Sequence, residues 1–178
     1  MKLHKLFEDL NGLWVDNAGV AYSKMKEGQI NSVGAERRLA KYEKSEWNGL
    51  YFGGTDFKYT GQINKQSFGS VGAYTAKCKR LAEFVSTNGF MDCVCTTGKG
   101  TGMAADLDKM KAFREGCDVN GSKLSIASGV TPDNVKSYLP YVDAILVATG
   151  ISEDFHNLSD LKMKQMRQVI DEYHEQQK

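Results

Sequence analysis

The chain has 178 residues, of which 41% are hydrophobic and 25% charged, and its formal net charge is +1. This length suits one domain over residues 1–178, and a charge near zero without a basic run argues against a nucleic-acid-binding face. The longest apolar stretch, Ala144–Ala148, is far shorter than the roughly 20 residues of a membrane span, and the start lacks a secretory signal, so we expect a cytoplasmic protein.

Five short apolar runs alternate with segments of helical periodicity along the chain. The predicted strands are 13–16, 50–59, 93–97, 124–128 and 144–149. The predicted helices are 35–47, 73–86, 106–117 with Asp106 as its N-cap, 131–138, and 158–175 with Ser159 as its cap. Strands that alternate with helices pair in parallel and are covered on both faces. The sequence therefore predicts an α/β fold with a (β/α) barrel-type parallel sheet of about five β/α units, an incomplete barrel.

A doubly wound open sheet is the alternative architecture. It would place a glycine-rich turn after the first strand and an acid at the end of the next one. The glycines of this chain instead follow the last three strands. Their position favours the barrel.

The last three strands each end in a hydroxyl residue followed by glycine. The pairs are Thr97–Gly98, Ser128–Gly129 and Thr149–Gly150. Glycine lets backbone N–H groups approach an anion closely, the hydroxyl adds a donor, and barrels often bind phosphate at the loops after their last two strands. These pairs predict a phosphate-binding site at the mouth of the barrel, where the loops that follow the strands meet. Glycines that merely form tight turns would give the same pattern.

The loop after the third strand is rich in glycine. It carries Gly98, Lys99, Gly100, Thr101 and Gly102, and its spacing is not that of a Walker A motif. Such a loop suits contact with an anion, or closure over one. We therefore add Gly100, Thr101 and Gly102 to the predicted phosphate-binding residues.

Asp56 and Lys58 alternate in the second predicted strand and should share one face. A buried acid and base are costly unless they are paired or functional, so the two predict catalytic groups at the mouth, with a structural ion pair as the alternative. Asp16 and Asn17 end the first strand and are further mouth candidates, which turn formation explains nearly as well.

The four cysteines are Cys78, Cys93, Cys95 and Cys117. Their spacings match no zinc-binding pattern, and no histidine pair lies near them. We expect buried, reduced thiols and predict no metal site.

Two longer phrases resemble a known family. TTGKGTGMAADLDKMKAFRE at 96–115 and SIASGVTPDNVKSYLPYVDAILVATGIS at 125–152 are similar to the C-terminal half of the BtpA-like (β/α)-barrel proteins. FGGTDFK at 52–58 resembles a phrase of that family with an acid and a lysine on one face, which Asp56 and Lys58 match. Tyr59 stands where the family often has histidine, which argues against histidine-based chemistry.

The resemblance implies a phosphate-binding barrel that binds or acts on a small phosphorylated, phosphoribosyl- or nucleotide-like metabolite. It leaves open whether catalysis occurs, what the cofactor is, and whether the protein is instead a non-catalytic assembly factor, since the family is named for a role in photosystem I biogenesis. It also implies that the N-terminal strands of a full barrel are missing here. We therefore expect self-association or pairing with that missing portion, and no nucleic-acid partner.

Overall fold

The computed structural model of the chain describes residues 10–23, 28–43, 47–58 and 62–178. Its strands are β1 Gly12–Val15, β2 Ala21–Tyr22, β3 Ile30–Asn31, β4 Leu50–Gly54, β5 Cys93–Thr97, β6 Lys123–Ala127 and β7 Ala144–Leu146. Its α-helices are α1 Val33–Glu43, α2 Val71–Thr87, α3 Leu107–Asp118 and α4 Asp160–Glu175. Short 3-10 helices cover Lys65–Ser67, Val135–Ser137 and Thr149–Ile151.

One five-stranded sheet organises the molecule. Its strand order is β1-β4-β5-β6-β7, and every neighbouring pair is parallel. A doubly wound sheet would reverse its strand order at some point, whereas here each β/α unit lies beside the preceding one. The prediction of an incomplete (β/α) barrel is confirmed. A small antiparallel ribbon of β2 and β3, which we did not predict, lies between β1 and α1 in the chain.

The largest departure from the predicted elements is at 131–138. We predicted an α-helix there, but only Val135–Ser137 forms a helical turn, of the 3-10 type. The Asn134 side chain accepts a hydrogen bond from the Thr131 amide at 2.8 Å and donates one to the Gly129 carbonyl at 2.9 Å. These side-chain bonds compete with the helical pattern and hold the segment as a loop.

Two predicted strands are also shorter than expected. The strand predicted over 50–59 ends at Gly54, and Tyr59 lies outside the described residues. The strand predicted over 144–149 ends at Leu146, and Thr149–Ile151 turns into a 3-10 helix. The side chains predicted at these strand ends therefore belong to loops.

The two faces of the sheet are covered differently. On the outer face, Val94, Leu124 and Ile126 are fully buried in the large core that α2 and α3 complete. The inner face carries a smaller cluster in which Phe57 packs on Cys95 and Ala127. Phe57, from the loop after β4, thus covers the inner face of the sheet at β5 and β6.

The edges of the sheet remain open in the described part of the chain. β1 pairs only with β4, and β7 pairs only with β6. Near the β1 edge, the side chains of Trp14 and Leu50 are 40% and 55% exposed. Unpaired strand edges bordered by exposed apolar side chains are surfaces that natural proteins usually cover.

None of the helices in the described ranges is both long enough and apolar enough to cross a membrane.

The four cysteines give the first testable prediction, because all are free and buried. Burial raises the pKa of Cys78 and Cys117 to about 12, and that of Cys93 and Cys95 to about 11. We expect the native chain to react very slowly with dithiobis(nitrobenzoate) near pH 8, and all four thiols to react once urea unfolds it. A thiol that reacts rapidly before unfolding would contradict the described packing.

The same pKa values fix the sign of a pH effect. Because each thiol has a higher pKa in the folded chain than the ordinary value of 9.0, its contribution to stability is complete below that pH. It is lost progressively as the pH rises toward 11 or 12, since only the unfolded chain ionises easily. The urea concentration at the midpoint of unfolding should therefore decrease as the pH rises above 9.

Candidate functional site

Lys58 connects the ends of three strands at the C-terminal edge of the sheet. Its Nζ donates hydrogen bonds to Ser128 Oγ at 2.9 Å and to Thr101 Oγ1 at 3.3 Å. Its backbone amide donates to Thr97 Oγ1 at 2.8 Å. Residues that follow β4, β5 and β6 therefore meet around one ammonium group, which we call the Lys58 site.

The Lys58 site carries a positive charge that no carboxylate of the described residues pairs with. The side chain of Lys58 is half-buried, and none of the ion pairs formed among the described residues includes it. Hydroxyl oxygens solvate an ammonium group but do not neutralise it, and hydroxyls can also donate hydrogen bonds. The electrostatics of the site favour an anion.

Two strained residues mark the same place. Asp56 has φ 48° and Ser128 has φ 67°, and they are the only residues other than glycine with positive φ in the described part of the chain. A left-handed conformation costs an L-residue roughly 1–2 kcal/mol, and such strain concentrates at functional sites. Asp56 lies two residues before Lys58 in the chain, and the Ser128 hydroxyl accepts a hydrogen bond from Lys58 Nζ.

Gly98 and Gly129 bring the loops after β5 and β6 together. A Cβ on either glycine would lie 2.2 Å from the Met103 carbonyl oxygen, so both α-carbons touch the returning arm of the 98–104 loop. The loop turns at Gly100, whose carbonyl accepts the Met103 amide at 3.1 Å, with Gly102 left-handed at its tip. The predicted residues of these two strand ends therefore occupy one place.

This contact predicts a large effect of Gly129→Ala. Gly129 and Gly121 both have positive φ, 72° and 70°, but a Cβ at Gly121 would meet nothing within 4 Å. Both substitutions bring the left-handed penalty, and Gly129→Ala adds an overlap with Met103 that should cost about 1–3 kcal/mol more. Urea unfolding of the two variants isolates the difference, and equal losses would contradict the close approach.

The third predicted pair, Thr149–Gly150, lies beside this group. A Cβ on Gly150 would lie 1.8 Å from the carbonyl oxygen of Val130, the residue after Gly129. No described hydrogen bond joins Thr149 to Lys58. Gly150 therefore borders the Lys58 site, whereas the contacts that define the site come from the ends of β4, β5 and β6.

The Asp56 carboxylate pairs with Lys109 and not with Lys58. Its Oδ2 forms an ion pair with Lys109 Nζ at 2.7 Å, and the two side chains are only 2% and 5% exposed. Its Oδ1 accepts a hydrogen bond from the Ile63 amide. The expectation that Asp56 and Lys58 share one strand face is wrong, because β4 ends at Gly54 and the backbone turns left-handed at Asp56.

Lys109 is a residue of the site that we did not predict from the sequence. Its Nζ also donates to the carbonyl oxygens of Asp56 at 2.9 Å and Thr97 at 2.8 Å. A signal for it existed in α3: Ala112, Phe113 and Gly116 lie three, four and seven residues after Lys109, and all are buried. A lysine on this stripe of the helix requires a buried acceptor.

A cavity of about 340 Å³ lies at the end of β5, where Thr97 and Gly98 line it. Gln62 spans one wall of it, and its Nε2 donates to the carbonyls of Gly98 at 2.9 Å and Asp56 at 3.1 Å. The rest of its lining includes Ile63, Lys65, Tyr74, Thr97, Lys99, Met103, Asp106 and Lys109. Thr97 and Gly98 therefore contact both the cavity and the residues around Lys58.

Ion pairs order the rim of this cavity. Lys65 Nζ lies 2.5 Å from Asp106 Oδ2 and 3.1 Å from Asp108 Oδ2. Partial burial tends to raise the pKa of Asp106, but the hydrogen bond from Lys65 and the Asp108 amide outweigh it, and the pKa is lowered. Asp106 is also the predicted N-cap of α3, which is confirmed. No group of three or more His, Cys, Asp or Glu side chains able to hold a metal ion occurs among the described residues.

Two solved structures are similar to parts of the chain. Phosphoribosyl anthranilate isomerase from Thermus thermophilus gives a TM-score of 0.44 at 15% identity, over 78% of this chain and 68% of that one. N-(5'-phosphoribosyl)anthranilate isomerase from Pyrococcus furiosus gives 0.32 at 9% identity, over 90% and 87% of the two chains.

Two curated relatives match in sequence. An uncharacterized protein of Thermococcus kodakarensis is 26% identical over 83 residues, which are 47% of this chain and 31% of the relative. An uncharacterized protein of Methanocaldococcus jannaschii is 26% identical over 82 residues, 46% of this chain and 30% of the relative. The matched part spans about a third of the length of these relatives.

The family model that matches covers residues 73–175, from α2 through α4. This is more than half of the chain, and it contains the strand ends that contact Lys58 from β5 and β6. The resemblance seen in the glycine-rich phrases is thereby confirmed, and the chain belongs to the BtpA family.

Proposed function

We propose that this chain binds a small phosphorylated metabolite, with the phosphate group at Lys58 Nζ. One observation carries the proposal: the ammonium group of Lys58 donates hydrogen bonds to two hydroxyls, and no described carboxylate pairs with it. A phosphate monoester would place its negative charge against Lys58. Ser128 and Thr101 would then donate their hydroxyl hydrogens to phosphate oxygens.

Backbone donors of the neighbouring loops would complete the phosphate contacts. The amide of Gly129, which follows the left-handed Ser128, would add a backbone donor, whereas the Ser128 amide already donates to the Leu146 carbonyl at 3.4 Å. The other predicted contacts, from Thr97, Gly98, Gly100, Gly102, Thr149 and Gly150, belong to the same proposal. Thr149 and Gly150 have the more peripheral place in it.

The cavity beyond Thr97 would hold the organic part of the ligand. Its volume of about 340 Å³ lies near the lower end of the range for small-molecule sites. Its lining combines Tyr74 and Ile63 with the polar groups of Gln62 and Lys65. A phosphorylated pentose has the size and the hydroxyl groups for such a lining, which is why we favour a phosphoribosyl-like ligand.

A binding role without catalysis is the second candidate, and one observation favours it. The Asp56 carboxylate, the acid that the sequence offers for proton transfer, is buried and already neutralised by Lys109. If Asp56 only stabilises the fold, Asp56→Asn would change the stability of the protein but leave the biological activity of the folded protein in place. Loss of that activity in a folded Asp56→Asn variant would instead support a catalytic Asp56.

Calorimetric titration with ribose 5-phosphate tests the proposal, with ribose as the matched ligand without phosphate. We expect the phosphorylated sugar to bind and to raise the melting temperature, because a ligand at about 100 times its Kd adds about 2.7 kcal/mol of stability. Ribose should do neither. Equal behaviour of the two sugars, or no response to millimolar ribose 5-phosphate, would contradict the proposal.

We also propose that the open sheet edges are covered by association with further polypeptide. The unpaired sides of β1 and β7 and the exposed Trp14 and Leu50 support this. A second copy of the chain is the simplest partner for the isolated protein. Sedimentation velocity at micromolar concentration should then show a dimer or larger species, and a monomer throughout would contradict self-association.

A further inference from the structure

We propose that Lys109 is the positioning residue of the Lys58 site: it fixes the two backbone segments that present Lys58 to an anion. The inference rests on the proposed function and deepens it, because it names what keeps the site in its binding geometry. Lys109 lies in α3, a helix that supplies none of the groups around Lys58 Nζ. Because Lys109 also lines the cavity beside Thr97, the position of Lys58, and not ligand affinity alone, is what tests this role.

The ammonium group of Lys109 contacts two protein segments. It donates hydrogen bonds to the Asp56 carbonyl at 2.9 Å and the Thr97 carbonyl at 2.8 Å. Its Nζ also lies 2.7 Å from Asp56 Oδ2, an ion pair that lacks the alignment of a hydrogen bond. The group thus ties the segment after β4 to the end of β5.

Both tied segments contact Lys58 directly. Lys58 follows Asp56 by two residues, and its amide donates to the Thr97 hydroxyl at 2.8 Å. Lys109 thus fixes Lys58 through the chain on one side and through Thr97 on the other. It also stabilises the left-handed conformation of Asp56, which would otherwise relax toward an ordinary φ.

The energetics of the pair favour a positioning role over a stabilising one. Taking a lysine and an aspartate out of water carries a large desolvation cost, and a well-packed apolar pair often stabilises a core as well or better. What an apolar pair would not supply is the pair of bonds to the Asp56 and Thr97 carbonyls. Those two bonds join the segments on either side of Lys58, together with the hydrogen bonds that the Gln62 side chain donates to the Asp56 and Gly98 carbonyls.

The experiment compares Lys109→Met with Lys111→Met, which removes an exposed lysine from the same helix. The first measurement is the acetylation rate of Lys58 under trace labelling, quantified by mass spectrometry relative to Lys99. We expect Lys58 to be acetylated several-fold faster in Lys109→Met, because its ammonium group leaves the two hydroxyls, and unchanged in Lys111→Met. The second is the affinity for ribose 5-phosphate, which should fall about tenfold in Lys109→Met alone.

A double variant, Asp56→Asn with Lys109→Met, separates positioning from stability. Removing both charges should restore much of the folding stability that either single change loses, since no unpaired buried charge remains. We expect fast acetylation of Lys58 to persist, because the bonds to the two carbonyls are still missing. Two results would overturn the positioning role. One is slow, wild-type acetylation of Lys58 in a double variant that has regained stability. The other is slow, wild-type acetylation of Lys58 in folded Lys109→Met.

The labelling also distinguishes this inference from the proposed function. If the wild-type chain fails to bind ribose 5-phosphate but Lys109→Met still exposes Lys58, the phosphate proposal fails and Lys109 remains the positioning residue. If the sugar phosphate binds equally to wild type and Lys109→Met, the phosphate proposal survives and the role of Lys109 does not.

Discussion

Replacing Lys58 with methionine is expected to weaken the binding of ribose 5-phosphate about 10- to 100-fold. The ammonium group is the one full positive charge that the described contacts place between Ser128 and Thr101. A hydrogen bond to a charged group contributes about 1.5–3 kcal/mol, and methionine keeps most of the side-chain length while removing it. Calorimetric titration of the two proteins at the same salt concentration gives the ratio.

Lys136→Met is the matched control for this change. Lys136 is exposed in the 3-10 helix Val135–Ser137 and has no described partner at the Lys58 site, so its loss removes the same net charge elsewhere. We expect its affinity to stay within about twofold of wild type at moderate salt, because distant surface charges are screened. If both variants lose affinity equally, the phosphate is bound by general charge and the assignment to Lys58 is wrong.

Asp56→Ala is expected to lower the free energy of unfolding by about 3–5 kcal/mol, the largest stability effect that we predict. The substitution leaves the ammonium group of Lys109, only 5% exposed, without its counter-ion. It also removes the acceptor of the Ile63 amide and leaves a non-glycine residue at φ 48° without the bonds that hold it there. Urea unfolding monitored by circular dichroism measures the loss.

An exposed ion pair provides the comparison for Asp56→Ala. Asp171 pairs with Arg167 one turn earlier in α4, where the two side chains are 45% and 74% exposed. Exposed pairs contribute less than about 1 kcal/mol, so Asp171→Ala should change the urea midpoint very little. Similar losses in both variants would mean that burial does not distinguish the two pairs and that Asp56 is not held as described.

The fold was predictable because its signals are local and repeated. β5 matches its predicted bounds, Cys93–Thr97, and Asp106 caps α3 as predicted. The hydroxyl–glycine endings of β5 and β6 also indicated correctly where loops meet, since the C-terminal ends of adjacent parallel strands share one edge. Gly98 and Gly129 additionally make the close chain contact with Met103 that tight packing of these loops requires. Anion binding and the formation of tight turns, the two explanations offered for these glycines, are therefore compatible.

The role of Asp56 was not predictable from alternation along a strand. Period-two reasoning holds only while the chain stays extended, and β4 ends two residues before Asp56. Its partner Lys109 is 53 residues away in the chain, and the pattern of α3 alone does not name the acceptor. The loop at 131–134 was missed for a similar reason, because Asn134 bonds to Gly129 and Thr131 rather than joining a helix.

Amide chemical-shift mapping of the ¹⁵N-labelled chain during titration with ribose 5-phosphate tests most directly whether the ends of β4, β5 and β6 form one anion site. The account predicts that the largest shifts fall on Lys58, Thr101, Gly102, Ser128 and Gly129, and that ribose alone leaves these signals in place. Saturable shifts centred on residues remote from Lys58, or none at all, would contradict it.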